Sequence, residues 1–372
     1  MIDTYPSKPV LFCGEAMGEN EVKIGRGFVG TSGAELLRML HEAAVITFTA
    51  SDREYMSKFY KTYDPWCLDA IWELHPEVIR TNVFQQHPPA NKLEYFCGPK
   101  AQGIPGFPAL IKSGYVRKEL AYELDRLGDE ILAYDPNLIV CLGNSALWAL
   151  CGRTGITKLR GTTCTSTHTV SGYKLLCTYH PAAVTRQWEL RPTTIADLTK
   201  INREKDFPDV RRPACEIWTE PDLDDIRTFI HAHIRGCKIL SVDIETAGSQ
   251  ITCIGFAPRA DLALVIPIHD FRSASGSYWV SAAAERQCWE LIRGVLEDKS
   301  IPKVFQNGLY DITFLWRAYG IRTFRAVEDT MLLHHALQPE SLKSLGYLGS
   351  IYTDHGPWKS ERHKTDTIKR DE

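Results

Sequence analysis

The chain lacks any run of about eighteen apolar residues, which excludes a membrane-crossing helix of ordinary length and gives no membrane partner. Its start, MIDTYPSKP, lacks the charged and apolar regions of a signal peptide, so a cytoplasmic protein is expected. None of its eleven cysteines forms a CxxC pair. Cys13, Cys141, Cys177 and Cys253 instead sit inside apolar, strand-like runs, the usage of buried thiols in a reducing compartment rather than of a disulfide framework or zinc site. Positive charge is also short. A formal net charge of −3 argues against coating nucleic acid by charge alone, while leaving room for a local groove. Internal repeats and low-complexity segments are absent. What remains is an ordinary globular composition, 44% hydrophobic and 24% charged, in a chain of 372 residues, long enough that two domains are expected.

Apolar runs at Pro9–Cys13, Val78–Thr81, Leu138–Leu142 and Lys174–Thr178 each end in a polar or glycine-containing turn. Helical patterns at Ser32–Ala44 and Val116–Ala133 stand between them, so the first half reads as a mostly parallel α/β sheet. Ligands of such sheets sit beyond the carboxyl ends of the strands. Glu15, Asn82, Asn144 and His180 all fall there. The charged, proline-bearing stretch 203–213 reads as a linker, dividing a domain at 1–202 from one at 214–372. In the second, Glu216–Thr219, Ile239–Ile244, Gln250–Ala257 and Leu262–Ile268 read as strands followed by helices, an α/β domain of ribonuclease-H-like type.

Gly25–Gly30 spells GRGFVG and satisfies the dinucleotide pattern GxGxxG, but stands too far beyond the run ending at Cys13 to open a nicotinamide site. A phosphate loop remains a rival reading of the same residues. The larger segment, GEAMGENE (14–21), then GRGFVG, then an amphipathic helix, is similar to the family-4 uracil-DNA glycosylases. The similarity continues in RTNVFQQHPPAN (80–91), DPNLIVCLGNSALWALCG (135–152), KLRGT (158–162) and TYHPAAV (178–184), in the family's order over about residues 9–200.

The resemblance implies a parallel-sheet glycosylase fold that extrudes uracil from DNA and cuts its N-glycosidic bond. Asn82 would read the uracil edge, its amide offering both donor and acceptor, and Phe28 would stack on the base. Gly14 and Ala16 would line the base pocket, and Gly18 would let the backbone approach closely. His180 would donate toward the departing base, Glu21 would position water and stabilise the cationic sugar, and Glu15 would shape the pocket floor. Arg160 and Asn144 would contact DNA. Most family-4 enzymes hold an iron–sulfur cluster on four cysteines. Here no cysteine precedes Cys13, Gln86 and Lys112 stand near the later ligand positions, and Cys97 is alone, so no cluster is expected. Met17 replaces the family's proline. The extra segment Glu54–Val78, with Tyr55, Phe59, Tyr60, Tyr63, Trp66 and Trp72, either packs as an added helix in the cluster's stead or offers a stacking platform for single-stranded DNA.

A second set of acids follows. Asp243 and Glu245, at i and i+2 in a strand pattern, point to one face and repel unless a cation lies between them. In KVFQNGLYDITFLWRAYG (303–320), Asn307 and Asp311 stand a helical turn apart. With EDTMLLHHAL (328–337) and LKSLGYLG (342–349), these blocks resemble the 3′–5′ exonucleases of family-A DNA polymerases over about residues 215–372. The resemblance implies Mg²⁺ or Mn²⁺ on Asp243, Glu245 and Asp311, with Asn307 contacting DNA. The family's last block, YxxxD or HxxxD, has no counterpart after Asp311; Asp354, Asp366 and Asp371 lack its spacing, and Asp329 reads as a helix-start acid. The domain is therefore expected to be a partial ribonuclease-H-like exonuclease, C-terminally incomplete and impaired. Taken together, the chain resembles a bacteriophage repair or replication protein acting on uracil-containing DNA, single or double stranded, in a bacterial cytoplasm with a polymerase domain or replication proteins as partners. The rival is a non-catalytic module that binds DNA and tethers a nuclease or polymerase.

Overall fold

The computed structural model describes residues 8–273 and 275–355. The chain divides into a first unit, which runs to Arg212 and takes in the segment from Gly349, and a second unit, Pro213–Leu348. The segment from Gly349, assigned above to the second domain, groups with the first because Lys200 Nζ donates to the carbonyls of Ser350 (2.7 Å) and Thr353 (3.1 Å) and Arg203 pairs with Asp354.

The strands of the first unit are β1 (Val10–Ala16), β2 (Val78–Phe84), β3 (Cys97–Gly98), β4 (Tyr115–Val116), β5 (Leu138–Leu142), β6 (Thr163–Thr167) and β7 (Ser171–Thr178). Its main sheet has the order β2-β1-β5-β7-β6, parallel throughout except that β6 runs antiparallel to β7. Leu11, Phe12, Leu138–Leu142 and Leu175–Cys177 have no exposed surface, as expected of strands covered on both faces. The helices that concern the site are α1 (Glu19–Ile24), α2 (Thr31–Glu42), α3 (Ala50–Thr62), α4 (Pro65–Glu73), α5 (Ala121–Tyr134) and α6 (Gly143–Cys151). The helix expected from Val116 begins only at Ala121, because Tyr115–Val116 pairs with Cys97–Gly98. The inserted segment forms the end of α3 and all of α4. A Thr49–Asp52 capping box starts α3, and Asp64 with Pro65 starts α4. Phe59 and Trp72 turn inward, while Tyr55, Tyr60, Tyr63 and Trp66 face solvent.

The second unit contains β8 (Glu216–Trp218), β9 (Leu240–Ala247), β10 (Gln250–Arg259), β11 (Leu262–Pro267), β12 (Lys303–Phe305) and β13 (Ala326–Asp329). Their order is β13-β12-β9-β10-β11-β8, with β10 antiparallel to both neighbours and the other pairs parallel. Along β9, Leu240, Val242 and Ile244 are buried and Ser241, Asp243 and Glu245 exposed, so one face of this strand packs and the other carries the acids. Helix Ala282–Glu297 buries Cys288, Ile292, Val295 and Leu296 at helical spacing. Helix Gly308–Tyr319 follows β12. Among the described residues no helix is long and apolar enough to cross a membrane.

Candidate active sites

The parallel strands of the first unit end at one edge, and the polar residues just beyond them meet there. Register pairs Gly14 with Asn82 across β1 and β2. A Cβ on Gly14 would run into Asn82 Oδ1 and the Phe28 ring, so only glycine lets these two side chains close on the strand end. Ala16, next on the same strand end, pairs with Phe84. Asn82 is 3% exposed, and its amide makes no hydrogen bond with any described residue. Its amide atoms are not sealed from solvent, so a ligand at the strand ends could reach them. Its backbone carbonyl is held by Arg126 at 2.7 Å.

His180 lies beyond β7, with its ring centroid 6.1 Å from that of Phe28. Gly143, at the start of α6, takes a left-handed φ of 87°, and a Cβ there would stand 3.1 Å from the His180 Cβ. His180 caps the helix Pro181–Arg186, its Nδ1 accepting from the Ala182 N–H at 3.1 Å. An Nδ1 that accepts carries no proton, so the neutral ring carries its hydrogen on Nε2. Burial, with the Arg186 charge adding to it, lowers the imidazole to about 4. The ring is therefore a neutral donor at physiological pH.

Glu21 is buried on α1, one carboxylate oxygen accepting from the Gly30 N–H at 3.1 Å. A Cβ on Gly18 would collide with its other oxygen. Glu15 accepts from Ser145 Oγ at 2.9 Å. Burial raises its carboxyl, and the Ser145 hydrogen bond and the Arg186 charge partly oppose that.

Of the two residues expected to contact DNA, Arg160 is not arranged for it. Arg160 is 2% exposed, its guanidinium taken by Asp197 (Nε to Oδ2, 2.8 Å) and by Ser350 Oγ (2.8 Å). That ion pair lies inside the fold and leaves no reach to a phosphate. Asn144 is exposed, but its Oδ1 accepts from the N–H groups of Gly155 and Ile156, both at 2.9 Å, and so shapes the loop before Ile156. At the positions near the later cluster ligands, Gln86 bonds to Tyr122 and Lys112 is a left-handed loop residue, neither of them a usual cluster ligand, while Cys97 is buried on β3.

In the second unit Asp311 is 4% exposed and accepts from the N–H of Ile244, the residue between Asp243 and Glu245. Burial raises its carboxyl, with repulsion from Asp329 and Glu245 in the same direction and the Ile244 N–H opposing. These acids are thus within electrostatic reach of one another. Yet among the described residues no three acidic, histidine or cysteine side chains converge closely enough to hold a metal ion. Asp329 caps the helix Thr330–Leu337 and also accepts from the N–H groups of Asn307 (3.1 Å) and Gly308 (2.7 Å). Burial raises its carboxyl, but these backbone donors prevail and lower it. Asn307 does not share a helical face with Asp311: it is the left-handed cap (φ 60°) before Gly308. With Ser249, Leu309, Tyr310, Phe314 and Arg317 it lines a cleft of about 760 Å³. Asp366 and Asp371 lie outside the described residues.

Two residues of these sites, Ser145 and Arg126, were not singled out from sequence, and Trp72 was named only as part of an aromatic insert. Ser145 and Arg126 act through contacts made far along the chain. The role of Trp72 rests on a hydrogen bond from its Nε1 to the Phe28 carbonyl at 2.9 Å. Only the aromatic richness of the insert pointed toward Trp72.

Comparison with known proteins matches residues 2–204 to the uracil DNA glycosylase superfamily and residues 222–365 to a 3′–5′ exonuclease family. A type-4 uracil-DNA glycosylase from Sulfurisphaera tokodaii is 29% identical over 202 residues, 53% of this chain and 70% of that protein. The DNA polymerase of Bacillus phage SP01 is 23% identical over 247 residues, 58% of this chain; the match spans only 25% of that polymerase. Among solved structures, the EXD2 exonuclease domain soaked in Mn is 16% identical, covering 33% of this chain and 58% of its own, with a TM-score of 0.25. Escherichia coli RNase D is 17% identical over 36% of this chain and 32% of its own, with a TM-score of 0.26. Both units are mixed α/β, a glycosylase-type fold followed by a ribonuclease-H-like one. The chain belongs to the uracil DNA glycosylase superfamily, and a 3′–5′ exonuclease-type domain is fused behind its glycosylase domain.

Proposed function

We propose that the first unit hydrolyses the N-glycosidic bond of uracil in DNA, and that the chain serves DNA repair or replication. The observation that carries this is a neutral His180 with its hydrogen on Nε2, facing Phe28 beside an Asn82 amide that no protein group occupies. The extruded base would stack on Phe28 and pair its N3–H and O4 with Asn82. The C1′–N1 bond breaks with its electron pair passing to the uracil ring, where Nε2–H of His180 stabilises the charge on O2, and water adds to C1′, its proton ending on the departing uracil anion to give free uracil. Glu21, fixed by the Gly30 amide, would orient the water and offset the cationic sugar. No metal or iron–sulfur cluster takes part in this reading. Incubation of uracil-containing and thymine control oligonucleotides, followed by alkali, tests it. Cleavage at uracil alone supports it, and DNA binding without cleavage would transfer the unit to a tethering role.

For the second unit we infer exonuclease chemistry at Asp243, Glu245 and Asp311, with Asn307 in the adjoining cleft contacting DNA. A divalent cation held there, Mg²⁺ or Mn²⁺, would supply activation of the attacking water. Activity is expected to be low, because three carboxylates do not converge among the described residues. Rapid, Mn²⁺-dependent digestion of a 5′-labelled single strand by this chain would contradict that. The likeness to part of a phage DNA polymerase favours a polymerase or replication proteins as partners, in the cytoplasm of a bacterial host.

A further inference from the structure

Phe28 holds a left-handed backbone, φ 58°, which is uncommon for a bulky side chain and persists only where neighbours impose it. Two neighbours do so. The Phe28 carbonyl lies so close to Gly33 that any Cβ there would collide with it. The same carbonyl accepts from Trp72 Nε1 at 2.9 Å, a hydrogen bond buried on both sides.

Trp72 belongs to α4, in the inserted segment, and α4 grips the glycine-rich loop a second time. Arg26, two residues before Phe28, pairs with Asp69 (3.2 Å) and Glu73 of α4. Asp69 also binds Arg80 at 2.5 Å, and the Arg80 guanidinium lies 5.2 Å from the Trp72 ring. Gly25 and Gly30 are tied to Glu21 through their own N–H groups. The stretch between them is held from outside by α4.

We propose that Trp72 is a positioning residue for base recognition: its indole N–H fixes the Phe28 peptide, so that the ring stands between Gly14 and His180 before a base arrives. This rests on the glycosylase reading above. A stacking ring held in advance costs no ordering when the base binds, so loss of the hold weakens the bound base more than it slows the bond cleavage.

Trp72→Phe keeps the aromatic bulk and removes the donor. KM for uracil-containing DNA and the inhibition constant of free uracil are expected to rise together by about five- to tenfold, the scale of one buried hydrogen bond, with kcat within about twofold. A merely structural role would lower the folded fraction, and with it kcat, leaving inhibition by uracil unchanged. Arg26→Ala, at a half-exposed position, is expected to shift the same two constants by about twofold, and it carries the test should Trp72→Phe not fold. If the wild-type protein neither excises uracil nor is inhibited by it, the glycosylase reading fails. If the wild-type protein does both, and the folded variants keep its KM and uracil inhibition, the assignment of Trp72 is overturned.

Discussion

In the glycosylase unit the charged and titratable groups near the pocket each rest on a neighbour: Glu21 on the Gly30 amide, Glu15 on Ser145, His180 on the Ala182 amide. In the exonuclease-type unit Asp243 and Glu245 lie on the exposed face of β9, and the nearby Asp311 is turned into the fold against the Ile244 amide. The first arrangement is organised by the protein itself and leaves the Asn82 amide accessible to a ligand at the strand ends. The second gathers like charges, an arrangement that a bound cation would stabilise. Glycosidic cleavage should therefore proceed without metal, and the carboxylate site should depend on one.

The sharpest way to break this contrast is His180→Asn, which keeps an oxygen able to cap the Pro181 helix but withdraws the Nε2–H donor. Its kcat for uracil excision is expected to fall by about 100- to 1,000-fold, the usual cost of one transition-state donor, with DNA binding retained in a gel-shift assay. Asn82→Ala removes the edge-reading amide. It should lose about 10- to 100-fold in kcat/KM on uracil, measured with competing uracil and cytosine substrates.

The pH dependence sharpens the same assignment. The folded His180 imidazole lies at about 4, below its ordinary 6.5. The folded protein therefore binds this proton less readily than the unfolded chain. Its contribution to stability is complete above the ordinary value and is lost as pH falls from there toward 4. Excision should stay level through the neutral range so far as this group is concerned, and fail as pH approaches 4, where a second proton would break the Nδ1 cap. A comparison of Tm against pH for the wild type and His180→Asn checks the window.

The smallest effects are expected at the second site and in the Asn144 loop. Mn²⁺ should raise the unfolding temperature of the wild-type chain by about 1–3 °C through weak binding, and Asp243→Asn should abolish that rise while leaving uracil excision intact. Asn144→Ala should lower stability by about 1 kcal/mol, because the N–H groups of Gly155 and Ile156 lose their acceptor, and leave uracil excision near wild type.

Much of the fold was legible because β5 and the first half of β1 are buried apolar runs, as is the Leu175–Cys177 part of β7, whereas β2, VIRTNVF, offers only a short apolar start. β6, with the sequence TCTST, carries no such signal and exists because β7 offers it an edge. The short pairing of β3 with β4 likewise displaced the expected start of α5, a case of tertiary contact overriding a helical pattern. Glu15, Asn82 and His180 were legible as strand-end residues, while Phe28 and Glu21 were legible only through the family resemblance. Their holders were not, since Ser145 and Trp72 act through contacts formed only on folding. Arg160 shows the reverse error: a loop motif suggests exposure, but Asp197, remote in sequence, draws the guanidinium inside. Asn307 was read by helical spacing, whereas its left-handed backbone sets it as a cap and Asp329 fixes its N–H.

The most direct test of the central claim is excision from a single-stranded oligonucleotide bearing one uracil, in EDTA, followed by alkali. The account expects cleavage at the uracil, none in the thymine control, and an undiminished rate without metal. Binding without cleavage, or cleavage only after a divalent cation is added, would contradict it.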